Sequence, residues 1–265
     1  MKRLFVSLTL TALLLAGCGG GSQSAAEALA ETSQNLGQIK SGDLGLELMF
    51  SAKGGERAGF TLEGPFALHQ GQLPEAQLDY TQVAGDRTTT QTFIMAGDKS
   101  YVSIRGTTYE LPAETSGQIR GTLGNSGGLG AIDLSSWVQE PRLEDGGEVD
   151  GVGTDRIRGR LNVANVVSGL VAIASQFGGT TPLSPLSGAS AEQVQQAVDS
   201  ATIDVYTGKD DRLLRKLDIS MTFSPSADKV KDLVGAAVDF TLSISGPNEE
   251  VRIETPTNAQ PYSAS

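Results

Sequence analysis

The feature that most constrains the fold of this 265-residue chain is a period-two alternation of apolar and polar side chains, renewed in run after run. Leu46, Leu48 and Phe50 face one way with Glu47 opposite, and Phe60, Leu62, Phe66 and Leu68 share a face against Thr61 and Glu63. Leu78 and Tyr80 alternate with Gln77, Asp79 and Thr81; Phe93 and Met95, Val102 and Ile104, then Tyr109 and Leu111 continue the pattern. The last third repeats it. Ile203 and Val205 alternate, and Leu213, Leu217, Ile219, Met221 and Phe223 oppose Lys216, Asp218, Ser220 and Thr222. Val238, Phe240, Leu242 and Ile244 oppose Asp239, Thr241, Ser243 and Ser245, and Val251 and Ile253 read as a final short strand. Successive strand side chains point to opposite faces, so these runs describe an antiparallel sheet with one wet and one apolar side. Gly54-Gly55, Gly71, Gly85-Asp86, Gly97-Asp98 and Gly106 divide the first part into a meander, and Gly64-Pro65 predicts a bulge or an edge.

Helical signals are fewer. Ser24-Ala25-Ala26-Glu27 is a capping box opening a helix to about Leu36, with Leu29 and Leu36 on its apolar side. Residues 112–150 carry helical and loop signals, with Ile132, Leu134 and Trp137 as packing residues. Gly151–Leu161 returns to a strand with Arg156, Arg158 and Arg160 on one side, and Asn162 caps a helix in which Val163, Val166, Val167, Leu170, Ala174 and Phe177 recur at helical spacing. Ser190-Ala191-Glu192-Gln193 is a second capping box, for a helix to Ala201 that turns Val194, Ala197 and Val198 inward. Gly178–Ala189 reads as a loop, and Pro225–Gly235 as a connector with room for a helical turn or two. The sum is a single α+β domain: one curved antiparallel sheet, a half-barrel of about ten or eleven strands, cupping two or three helices.

Composition narrows the chemistry. One Cys excludes a disulfide framework and a cysteine zinc site, and one His excludes centres that need two imidazoles. A net charge of −11 argues against nucleic acid as a partner. No cofactor and no metal are expected. Gly124-Asn125-Ser126-Gly127-Gly128 fits G-x-S-x-G, but that elbow needs a later histidine, and His69 lies earlier in a strand-like run, at the surface. The glycine-rich stretch lacks the Gly-Lys-Ser/Thr ending that cradles phosphate. Glu144, Asp145, Glu148 and Asp150 lack the spacing of a calcium loop and read as a solvated acidic loop. No catalytic residue is assigned and no enzyme is expected.

The N-terminus is an address. Met1-Lys2-Arg3 precedes an apolar run of 13 residues, Leu4 to Ala16. A bilayer core takes roughly 20 helical residues, so the run has signal-peptide proportions. It ends Leu15-Ala16-Gly17-Cys18, which resembles the bacterial lipobox; there the Cys is acylated and becomes the first residue. Lipidation is therefore expected at Cys18. Cleavage removes Lys2 and Arg3, leaving 18 basic against 31 acidic residues, a net −13, so acyl chains rather than charge attraction would hold the body to a membrane. The organisation expected is a signal peptide over 1–17, a lipidated leash over 18–24, a folded domain over 25–256 and a tail over 257–265.

The lipobox, the capped helix directly after the leash and the one-sided meander coincide with Gly151-Val152-Gly153-Thr154-Asp155-Arg156-Ile157-Arg158-Gly159, running into the Asn162-capped helix, and with the closing Val251-Arg252-Ile253-Glu254-Thr255-Pro256. Together these resemble the LppX/LprG-type lipoproteins of actinobacteria, within the LolA/LolB-like lipoprotein-carrier superfamily, over about residues 25–256. The resemblance implies a half-barrel plugged by helices and an apolar cavity carrying a lipid, glycolipid or acylated protein outside the cytoplasm, with an envelope transporter as a possible partner. Aromatics are only 5% of the chain, fewer large rings than such a cavity favours. The cavity residues expected are Leu46, Leu48, Phe60, Leu62, Leu78, Phe93, Leu217, Ile219, Phe240 and Leu242 on the sheet, with Val167 and Leu170 on the helix. The alternative is a scaffold or sensor with the same cup and a filled core, binding a protein partner.

Overall fold

The computed structural model describes residues 23–52, 54–69, 74–118, 129, 132–176, 191–223 and 235–262. The strands are β1 (Ser41–Ser51), β2 (Arg57–Ala67), β3 (Glu75–Ala84), β4 (Arg87–Ala96), β5 (Lys99–Ile104), β6 (Thr107–Glu110), β7 (Val138–Val149), β8 (Val152–Leu161), β9 (Val198–Gly208), β10 (Leu214–Phe223), β11 (Ala237–Ser245) and β12 (Gln260–Pro261). The helices are α1 (Ala25–Asn35), α2 (residues 113–118), α3 (Leu134–Trp137), α4 (Val163–Gln176) and α5 (Ala191–Ala197).

These twelve strands form one open, curved sheet in the order β12-β6-β5-β4-β3-β2-β1-β11-β10-β9-β8-β7. Two meanders, β1–β6 and β7–β11, are joined where β1 pairs antiparallel with β11, and the only parallel pair among the described residues is β12 with β6. The class is the α+β half-barrel that the alternation predicts.

Register turns the alternation into continuous rows. Tyr80, Leu62, Leu46, Leu242, Leu217, Val205 and Ile157 are successive cross-strand partners from β3 to β8. Beside them run Phe60, Leu48, Phe240, Ile219 and Ile203. On the opposite face the row is Thr81, Thr61, Glu47, Thr241, Asp218, Asp204 and Arg158. A slip of one residue would exchange apolar and polar rows, so the core fixes the register.

The helices close over the inner face. The α1 capping box is formed: Glu27 N–H donates to Ser24 Oγ at 3.2 Å, and Ser24 N–H to Glu27 Oε2 at 2.9 Å. Ala28, Leu29 and, in the following 3₁₀ turn, Leu36 are buried. Asn162 caps α4 by accepting from Asn165 N–H at 3.3 Å, and Val163, Val166, Val167 and Leu170 are buried.

Several expectations are corrected. Residues 138–149 are not loop but the edge strand β7, and Glu144, Asp145 and Glu148 lie on it, with Glu144 opposite Arg156 and Asp145 opposite Asp155, while Asp150 is in the turn to β8. Pairing with β8 imposes a strand that the composition hides, since Pro141 and Gly146-Gly147 break any alternation. Gly64-Pro65 makes neither bulge nor edge: β2 keeps one register with both neighbours, while its pairing with β3 lapses at those two residues. Proline has no N–H to give there. With a bulge at Leu214/Lys216, Leu214 is fully buried in the core, and Leu213 packs against it partly buried. Val251–Ile253 is not a strand, whereas Gln260–Pro261, inside the expected tail, is one. The sheet therefore has twelve described strands rather than ten or eleven. Helix α5 ends at Ala197, where β9 begins at Val198, and β2 ends at Ala67, short of His69. Residues 1–22, Ser190, the Gly178–Ala189 loop and most of the Pro225–Gly235 connector lie outside the described residues.

Candidate functional site: the apolar inner face of the sheet

The fold brings eleven of the twelve expected cavity residues into one contiguous cluster. Leu46, Leu48, Phe60, Leu62, Leu217, Ile219, Phe240, Leu242, Val167 and Leu170 are buried in it, and Leu78 packs against it partly buried. Phe93 stands beyond that cluster, between its cross-strand partners Leu78 and Val102.

Burial across the face is uneven. Leu48, Leu217, Leu242 and Leu170 are 0% exposed, Phe240 1% and Val167 1%. Over β3 and β4 the inward side chains Leu78, Tyr80 and Phe93 stay half-buried. There the aromatic rings touch in series: Phe60 to Tyr80 at 5.7 Å between centroids, and Tyr80 to Phe93 edge-on at 6.2 Å. Partial burial pushes the Tyr80 phenol above its ordinary pKa, because the apolar surroundings disfavour the phenolate. Tyr80, Val205 and Ile157 belong to the same face as the chosen residues, and the alternation around Tyr80 and Val205 already placed them there.

The layer over this face is fixed by a few particular contacts. The Trp137 indole, at the end of α3, lies against Gly169 of α4. The buried hydroxyl of Thr32 on α1 is 2.9 Å from that of Thr207 at the end of β9, and Asn35 Nδ2 donates to the Asp211 carbonyl at 3.3 Å. None of these contacts has a signal in the sequence, since each joins residues distant along the chain.

Among the described residues, the reactive groups do not assemble into a site. His69 Nε2 is 3.8 Å from Glu75 Oε2, with both side chains solvent-facing. Glu144 is bound to Arg156 at 2.6 Å, Asp145 to Lys209 at 2.9 Å, and Asp150 accepts from the Ser245 hydroxyl. Among the described residues no group of three or more His, Cys, Asp or Glu side chains is placed to hold a metal ion. Ser126 and Cys18 lie outside the described residues. No described helix is long and apolar enough to cross a membrane.

The fold and this face define an α+β half-barrel with an apolar interior partly covered by helices. Neither a protein-family model nor a curated protein matches the chain. Among solved structures it is similar to the crystal structure of LprF from Mycobacterium bovis, at 17% identity and a TM-score of 0.48, over 88% of this chain and 96% of that one.

Proposed function

We propose that this chain is an extracytoplasmic lipoprotein, anchored through Cys18, that takes a lipid, glycolipid or acylated protein onto the inner face of its half-barrel and carries it in the envelope. The observation that supports this reading is the half-buried apolar strip Leu78, Tyr80 and Phe93, continuous with a fully buried core but not closed to the same degree. An acyl chain laid along that strip removes apolar surface from water at about 25 cal/mol per Å² without unpacking the core. The reading includes no chemical step. Membrane attachment takes two acyl signals or more, which the lipobox cysteine would supply.

A second reading, a scaffold or sensor with a filled core, draws on the closed packing around Leu48, Leu217, Phe240 and Leu242. Lipid mass spectrometry on the Cys18→Ala protein, secreted from its own host, separates the two. A stoichiometric lipid supports the carrier; a clean protein, even after incubation with host lipid extract, supports the scaffold.

A further inference from the structure

At the sheet edge farthest from β7, the chain beyond β11 returns as a strap along β6. Gln260 and Pro261 lie beside Tyr109 and Glu110, and Tyr262 N–H donates to the Glu110 carbonyl at 2.9 Å. Between the strap and the β5–β6 turn is an open groove of about 460 Å³, with Thr107 and Thr108 on one wall and Thr257, Asn258 and Gln260 on the other.

Two properties describe this groove. Its polar side chains are all uncharged, in a chain with 20 basic and 31 acidic residues. None of the five makes a side-chain hydrogen bond within the described residues. Gly106 at the turn, with φ +80°, leaves its side-chain volume empty, with no atom within 4 Å of where a Cβ would stand.

Three hydroxyls and two carboxamides each offer both donors and acceptors. A charged ligand would find no counter-charge on the lining, and an apolar one would strip water from five polar side chains without replacing its hydrogen bonds. A ligand dense in neutral hydroxyls satisfies both constraints. Two residues beyond Gln260, outside the groove lining, Tyr262 is 42% exposed and stands edge-on to Tyr109 at 6.0 Å, an aromatic surface for the C–H face of a sugar ring that extends past the groove. We propose that this groove is a binding site for a neutral saccharide. The inference is independent of any lipid on the inner face.

The test is an amide-shift NMR titration of the secreted Cys18→Ala protein with trehalose and with maltotriose. The expected result is saturable shifts at Thr107, Thr257, Asn258 and Gln260, with a Kd of about 1–10 mM. Asn258→Ala/Gln260→Ala, on exposed positions, is expected to weaken that binding about tenfold while the remaining amide spectrum stays native. Octyl glucoside binding more tightly than methyl glucoside at the same amides identifies a lipid-borne sugar, and equal binding a free one. The proposal is overturned if neither saccharide moves these amides at about 50 mM, if the double variant binds as well as the parent, or if sodium sulfate moves them equally.

Discussion

Trp137 closes on Gly169 so tightly that a Cβ built on that glycine would stand 2.3 Å from Cζ2 of the indole and 3.1 Å from Cε2. Gly in a helix interior costs roughly 1 kcal/mol relative to Ala, so α4 accepts a local penalty to admit the ring. The indole is 4% exposed, and the neighbouring α4 side chains Val166 and Leu170 are buried. Gly169→Ala is therefore expected to destabilise the fold by about 1–3 kcal/mol, despite its better helix propensity. Urea unfolding measures it, and a variant as stable as the parent would show that the ring moves freely.

The Thr32–Thr207 contact sets the seat of α1. Both residues are 0% exposed; Thr32 Oγ1 is 2.8 Å from the Ala28 carbonyl and 2.9 Å from Thr207 Oγ1, which in turn is 3.4 Å from the Leu213 carbonyl. Each hydroxyl has one proton, so removing one partner leaves the other only its carbonyl contact, Ala28 for Thr32 or the long one to Leu213 for Thr207, in a site away from water. Thr32→Val is expected to cost about 1–3 kcal/mol, and adding Thr207→Val to recover most of that loss. A double-mutant cycle by chemical denaturation reads the coupling; additive losses would mean that the hydroxyls do not depend on each other.

The parts of this fold readable beforehand are those where one short-range signal decides. Alternation placed Leu46, Leu62, Leu217 and Leu242 on one face, and register then made them partners. The Ser24 and Asn162 caps act within three residues of themselves, so their helices began where the sequence put them. The edge strand β7 was hidden because it has one neighbour and little apolar face; Pro141 and the positive φ of Glu140 (51°) blunt its free side against further pairing. The Trp137–Gly169 contact and the β12 strap join residues far apart in sequence, which no local pattern encodes. On the inner face the same apolar letters serve closed core and half-open strip alike, so only burial separates Phe240 from Phe93.

That separation makes a prediction about two phenylalanines. Phe240, 1% exposed amid Leu48 and Ile219, is expected to cost about 3–5 kcal/mol on replacement by Ala, through lost burial and the cavity left behind. Phe93, half-buried, is expected to cost only about 1–2 kcal/mol. On the carrier reading, Phe93→Ala and Tyr80→Ala lower the bound lipid of a protein that still folds. Denaturation curves and mass spectrometry on the same preparations check both halves. Equal stability costs would remove the distinction between core and strip; unchanged lipid would place the ligand elsewhere.

Two ion pairs tie the edge strand β7 to its neighbours and give it a pH signature. Arg156, hydrogen-bonded to Glu144 at 2.6 Å, holds that carboxyl below the usual glutamate range, and Lys209 at 2.9 Å, with the Gly147 N–H, does the same for Asp145. In turn Asp145 raises the Lys209 ammonium. A carboxylate whose folded pKa is depressed stabilises the fold above its unfolded value, about 4, and that contribution is lost as pH falls through the lower folded value. For Lys209 the sign reverses: its contribution is complete below about pH 10.4 and is lost as pH rises through the raised folded value. All three groups are solvent-accessible, so both contributions shrink at about 1 M salt, where the screening length is roughly 3 Å. Carboxyl-detected NMR is expected to place the Glu144 and Asp145 midpoints below those of ordinary side chains. Arg156→Gln returns Glu144 alone towards the usual range, and Lys209→Met returns Asp145 alone. If Arg156→Gln shifted both carboxyls together, the two pairs would act as one network, and β7 would be secured by the whole charged face of the β7–β9 corner rather than by two separate clasps.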